Sequence, residues 1–115
     1  MVFGFGKGKN DPQHREIAAP QLHALLQAGA ALVVDVREAD EFAAGHIPGA
    51  FNLPLSQFQP SLLPESGDRT LVLNCLGGKR SGQALDRCHA AQVAVHTHLA
   101  GGFGAWKAAG LPVER

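Results

Sequence analysis

The chain is short of cysteine, modest in charge with neither sign in excess, and without a long apolar run, and each shortage closes off a class of protein. Two cysteines in 115 residues cannot build the dense disulfide framework that staples small secreted domains. Ten Lys+Arg against ten Asp+Glu give a formal net charge of zero, so the basic excess of a nucleic-acid-binding surface is missing. Apolar stretches stop well short of the roughly 20 residues that a membrane helix needs. Met1–Lys9 interleaves three glycines and two lysines with its apolar residues, in place of the roughly 7–15 apolar residues of an export signal. The expectation is a cytoplasmic protein with no nucleic-acid partner and no membrane. A hydrophobic content of 45% beside 17% charge is enough for a buried core and argues against disorder. The length fits one domain.

Residues 1–15 mix Gly, Lys, Asn, Asp and Pro without periodicity and read as a flexible arm, leaving 16–115 as the domain. Pro20 suits a first helical turn. Leu22, Leu25 and Leu26 then repeat at helical spacing, and Gly29 supplies a stop. Ala31–Val34 is an unalternating apolar run ending at Asp35, the pattern of a strand covered on both faces. A short helix is predicted over Glu38–Ala44, a turn at His46–Gly49, and a short strand over Ala50–Leu53. Pro60 limits Ser56–Leu63 to short helical pieces. Thr70–Asn74 reads as a second buried strand, and Ser81–Ala91 as a helix with Ala84, Leu85, Cys88 and Ala91 on one face. Val93, Val95, Thr97 and Leu99 alternate with Ala94, His96 and His98, predicting a strand. Gly101-Gly102 turns the chain before a last helix over Phe103–Ala109. Strands alternating with helices at these lengths predict an α/β fold with a mainly parallel sheet.

Ligands of open parallel sheets bind beyond the carboxyl ends of the strands. There the second buried strand runs into Cys75-Leu76-Gly77-Gly78-Lys79-Arg80 and a helix opens at once. Gly77 and Gly78 let successive N–H groups turn inward. The helix N-terminus adds unsatisfied N–H groups and the positive end of its dipole, while Lys79 and Arg80 add two cations. A thiolate at Cys75 is stabilised on every count, below the free-cysteine pKa of about 8.5. Cys88 shares an apolar helix face with Ala84 and Leu85 and reads as core. It lies roughly 12 Å along the helix from Arg80, whereas a disulfide needs Cα atoms within about 7 Å, so Cys75 and Cys88 are expected to stay unpaired.

Three stretches carry a family resemblance. Asp35-Val36-Arg37, Glu41-Phe42 and Gly45-His46-Ile47-Pro48-Gly49-Ala50 resemble the first signature of rhodanese-type sulfurtransferase domains. Cys75, Gly78 and Arg80-Ser81 resemble their active-site loop. Leu99–Phe103, Ala105-Trp106 and Ala109–Val113 resemble their C-terminal signature. The resemblance spans about Ile17 to Val113 and implies a five-stranded, mainly parallel sheet flanked by helices on both faces. It also implies that Cys75 takes up a sulfane sulfur as a persulfide, with no other cofactor, and passes it on. Donors of this kind are small sulfur compounds such as thiosulfate or a persulfide; acceptors are a thiol, cyanide or a protein. Leu76, Gly77, Gly78, Lys79 and Arg80 are then the substrate-binding loop, with Asp35, Arg37 and Ser81 in support. Leu76 stands where the family often has a polar or basic residue, which bears on the choice of donor.

Elsewhere the polar residues read as structural. Asp35 is expected to accept backbone N–H bonds or to pair with Arg37, His46 to form a corner, and Trp106 to pack in the core. His96 and His98 fall on one strand face but lack a third ligand, so a polar face is expected and no metal. Two other functions share the general design. Cysteine phosphatases and arsenate reductases cradle an oxyanion between a strand and a helix, but in a Cys-X5-Arg loop; the six residues Cys75–Arg80 give Cys-X4-Arg. A non-catalytic binding module would typically lack the nucleophile.

Overall fold

The computed structural model describes residues 14–115; the arm predicted over residues 1–15 lies largely outside the described residues. The elements run β1 (Arg15–Ile17), α1 (Ala19–Gln27), β2 (Ala31–Asp35), α2 (Ala39–Ala44), β3 (Phe51–Asn52), two 3-10 turns (Leu55–Gln57 and Pro60–Leu62), β4 (Thr70–Asn74), α3 (Lys79–Ala90), β5 (Thr97–Leu99) and α4 (Gly102–Ala108). The five strands order as β1-β5-β4-β2-β3, and each adjacent pair is parallel. This is the α/β sheet that the pattern of apolar runs predicts.

The two unalternating runs became the inner strands β2 and β4, paired over their full length from Ala31↔Thr70 to Asp35↔Asn74. Successive side chains of a strand point to opposite faces. Val33 and Val72 therefore join Leu22, Phe103 and Trp106 from α1 and α4 in one core layer. Val34 and Leu73 join Ala84, Leu85 and Cys88 from α3 in the other. Burying each such aliphatic side chain is worth about 1.5–3 kcal/mol, so helices cover both faces of the sheet.

Two expectations needed correction. The strand predicted over 93–99 is only Thr97–Leu99. Gln92 takes a positive φ of 60°, and the chain that follows is used to return from α3 to the sheet, where only 97–99 find ladder partners. Val93 and Val95 still pack against the α3 layer, which is why they alternate without being a strand. Arg15, expected in the arm, pairs with Thr97 in β1; three residues bearing two charges carry no readable strand pattern. Among the described residues, no helix is long and apolar enough to cross a membrane.

Candidate active site

Cys75 follows the last residue of β4 and is 1% exposed. The next residues curl back so that the Gly78 N–H donates to Sγ at 3.0 Å. Gly78 is the N-cap of α3 with φ 109°, a left-handed conformation that glycine adopts without a Cβ penalty. Burial alone would push the thiol up; the Ser81 hydroxyl and the N–H groups of Ser81, Gly78 and Gly77 outweigh it and hold Cys75 below its ordinary value. Cys88, buried on the same side of the sheet without such donors, is pushed up to about 11 by burial. Both cysteines are free.

The loop's N–H groups can face the sulfur because its carbonyls are engaged elsewhere. The first turn of α4 docks on the loop: Phe103 N–H donates to Cys75 O at 2.7 Å and Gly104 N–H to Leu76 O at 3.0 Å. Gly102, at φ 60°, makes this approach possible, since a Cβ there would stand 2.4 Å from Cys75 O. Gly101-Gly102, expected only to turn the chain, thus also shapes the Cys75 loop.

The loop's two cations, expected either to meet substrate or only to tune Cys75, sit in different surroundings. Arg80 forms a two-pronged pair with Glu41 of α2, Nη1–Oε1 2.7 Å and Nη2–Oε2 3.1 Å. The guanidinium draws Glu41 down to about 2, and the carboxylate raises Arg80 further above its ordinary value. This fork fastens the start of α3 to α2. Lys79 is exposed and lines a cavity of about 330 Å³ beside Gly78, Gly82 and His98. Leu76 is 47% exposed.

Asp35 and Arg37 meet as expected. Asp35, fully buried, accepts from the Arg37 backbone N–H at 3.0 Å and from its Nη2 at 2.8 Å. Arg37 Nη2 also donates to Gly45 O at 2.8 Å, and its guanidinium lies 4.4 Å from the Phe103 ring centre. The pair ties the end of β2 to the end of α2 and to α4, the walls around the loop. Asn74, in register with Asp35, is also fully buried, and its amide atoms meet no hydrogen-bond partner among the described residues. His46 stacks on Phe42 and Trp106 Nε1 donates to Pro112 O at 2.7 Å, both structural as expected.

His98 overturns the reading of a polar strand face. Pairing places it beside Leu73 of β4, on the side of the sheet where Cys75 and α3 pack, and it is buried. Its Nδ1 lies 2.7 Å from Ser81 Oγ, which in turn lies 3.5 Å from Cys75 Sγ. Burial, aided by His14, lowers the pKa of His98 against the opposing pull of Glu16. The available signal was a histidine inside a strand pattern, beside apolar neighbours; its partner could not be read locally. Among the described residues no group of three or more His, Cys, Asp or Glu side chains could hold a metal.

Known proteins resemble the chain over most of its length. It is 48% identical over 99 residues to an uncharacterised protein of Synechocystis, covering 86% of this chain and 55% of that one. It is 33% identical over 104 residues to thiosulfate:glutathione sulfurtransferase of Homo sapiens, covering 78% of this chain and 90% of that one. Its fold matches the crystal structure of thiosulfate sulfurtransferase from Pseudomonas aeruginosa with a TM-score of 0.78 at 27% identity, over 93% of this chain and 21% of that one. The chain therefore spans about half the length of the Synechocystis relative and a fifth of the Pseudomonas structure. The profile of the Rhodanese-like domain matches residues 18–109, and with Cys75 cradled at the end of β4 the chain belongs to the rhodanese-like domain family.

Proposed function

We propose that the chain is a sulfurtransferase working through a persulfide on Cys75. The observation that carries this reading is the Gly78 N–H on Cys75 Sγ at 3.0 Å, with the N–H groups of Gly77 and Ser81 adding to the thiolate's stability. The thiolate attacks the outer sulfur of a donor such as thiosulfate. The sulfur–sulfur bond of the donor breaks, sulfite departs with the electron pair, and Cys75 holds the terminal sulfur as a persulfide anion. The same N–H groups are placed to stabilise that anion. A nucleophile such as cyanide or a thiolate then attacks the terminal sulfur and returns Cys75 to the thiolate. Donor and acceptor are small sulfur compounds or cyanide, or a protein thiol, and the chemistry needs no cofactor beyond the persulfide. Two unpaired cysteines and a formal net charge of zero fit a cytoplasmic setting without a nucleic-acid or membrane partner.

The relative named as a thiosulfate:glutathione sulfurtransferase supports the same chemistry. A cysteine phosphatase is the less favoured reading, because Arg80, the residue that would clasp phosphate, is already held by Glu41. Intact mass after incubation with thiosulfate tests the proposal: a gain of one sulfur atom, reversed by cyanide, is expected. Hydrolysis of p-nitrophenyl phosphate that requires Cys75, with no persulfide formed, would favour the phosphatase. No sulfur gain and no turnover would favour a binding module.

A further inference from the structure

Ser81 Oγ has three polar neighbours and one proton to give. Gly78 O lies at 3.2 Å, Cys75 Sγ at 3.5 Å and His98 Nδ1 at 2.7 Å. A carbonyl only accepts, and so does a thiolate. The shortest contact must hold a proton between oxygen and nitrogen. If that proton is the serine's own, the hydroxyl is committed to His98 and the sulfur loses it as a donor. If His98 carries its proton on Nδ1 and donates to Ser81 Oγ, the hydroxyl is free to donate to the sulfur. The proton position on a strand histidine therefore decides how well the nucleophile is solvated inside the protein.

On the far side of His98, Nε2 lies 4.0 Å from Glu16 Oε2 on β1. His14 meets the imidazole edge-on with ring centres 5.8 Å apart, and is itself bound to Asp86 of α3 at 2.7 Å. His14, Glu16, Lys79, Asp86 and His98 line the same cavity of about 330 Å³. Glu16 favours a transient imidazolium, whereas burial and His14 favour the neutral ring.

We propose that His98 is a positioning residue for Cys75: by donating from Nδ1 to Ser81 Oγ it leaves the Ser81 hydroxyl to donate to the sulfur, while its Nε2 faces the cavity beside β1. The thiolate then accepts from Ser81, and a neutral His98 donates from Nδ1. This role rests on Cys75 being the reacting group, but not on which reaction it performs.

The test is the pH profile of Cys75 alkylation by iodoacetamide, followed by mass spectrometry, which needs no sulfur donor and so stands apart from the sulfurtransferase reading. Ser81→Ala and His98→Ala should each move the midpoint upward, slowing alkylation near pH 7 by about tenfold for each pH unit moved. The double variant should move it no further than Ser81→Ala alone. His98→Asn, whose amide can donate from near the Nδ1 position without titrating, should restore most of the native midpoint. This positioning role is overturned if His98→Ala leaves the midpoint unchanged, or shifts it equally with and without Ser81. Should His98→Ala fail to fold, a His98→Asn midpoint as high as that of Ser81→Ala overturns it, and a near-native one upholds it.

Discussion

Two cysteines on the same side of one sheet show how little residue type decides and how much the surroundings do. Cys88 is enclosed by carbon and is pushed up to about 11; Cys75 is as buried but receives N–H and O–H donors and is held low. The difference between a helix face and a strand–loop–helix junction was legible in the spacing alone. Cys75→Ser should therefore abolish sulfur uptake from thiosulfate, while Cys88→Ser retains most of it; turnover in Cys75→Ser with loss in Cys88→Ser would reverse the assignment. The partners of polar side chains were not legible. Arg80 and Glu41 are 39 residues apart, and Ser81 and His98 are 17 apart, so no local pattern announces either contact. Because Arg80 is charge-compensated by Glu41, Arg80→Ala should raise the Cys75 alkylation midpoint less than Ser81→Ala does. A larger shift from Arg80→Ala would mean that its charge acts on the sulfur directly.

At the scale of elements, the site depends on how α2 and α4 hold the loop between β4 and α3. Glu41 is lowered from 4.5 to about 2 by Arg80, a depressed acid. Its contribution to stability is thus complete above about 4.5 and lost as pH falls through about 2. Both partners are about one-third exposed, so screening limits the pair to on the order of 1 kcal/mol. Urea unfolding of Glu41→Gln should show that deficit at neutral pH and none near the bottom of the window; a deficit independent of pH would point to packing instead. Gly102 is the stricter constraint. Gly102→Ala should destabilise the fold by about 3 kcal/mol and raise the Cys75 midpoint, because the new Cβ displaces the carbonyls that orient the loop. Gly67 has the same φ of 60° but nothing within 4 Å of an added Cβ. Gly67→Ala should therefore cost only about 1–2 kcal/mol and leave Cys75 untouched. Equal effects on the cysteine would remove α4 from the account. Gly101-Gly102 looked like a plain turn in sequence, since close approach between distant segments leaves no local mark.

Across the whole molecule, strand order explains why the centre lies where it does. β4 is the middle strand, flanked by β2 and β5, so groups from both neighbours converge at its carboxyl end: Asp35 and Arg37 from the end of β2, His98 from β5. Parallel order and the buried inner strands were readable from unalternating apolar runs, whereas the edge strand β1 was too short and too charged to leave a pattern. The loop is then a ring whose size is set at both ends, by β4 before Cys75 and by the Arg80–Glu41 fork after Gly78. Inserting one glycine between Gly77 and Gly78 lengthens the ring without removing a donor, a cation or Cys75. The Gly78 N–H, now 3.0 Å from Sγ, should move beyond hydrogen-bonding reach of a terminal sulfur, and the wider ring should admit a tetrahedral oxyanion. An insertion variant that retains native cooperative unfolding is expected to lose its persulfide faster after thiosulfate treatment, and to be protected from alkylation by phosphate or arsenate where the native protein is not. Persulfide lifetime and phosphate protection both unchanged by the insertion would show that the loop's length does not select sulfur over oxyanion.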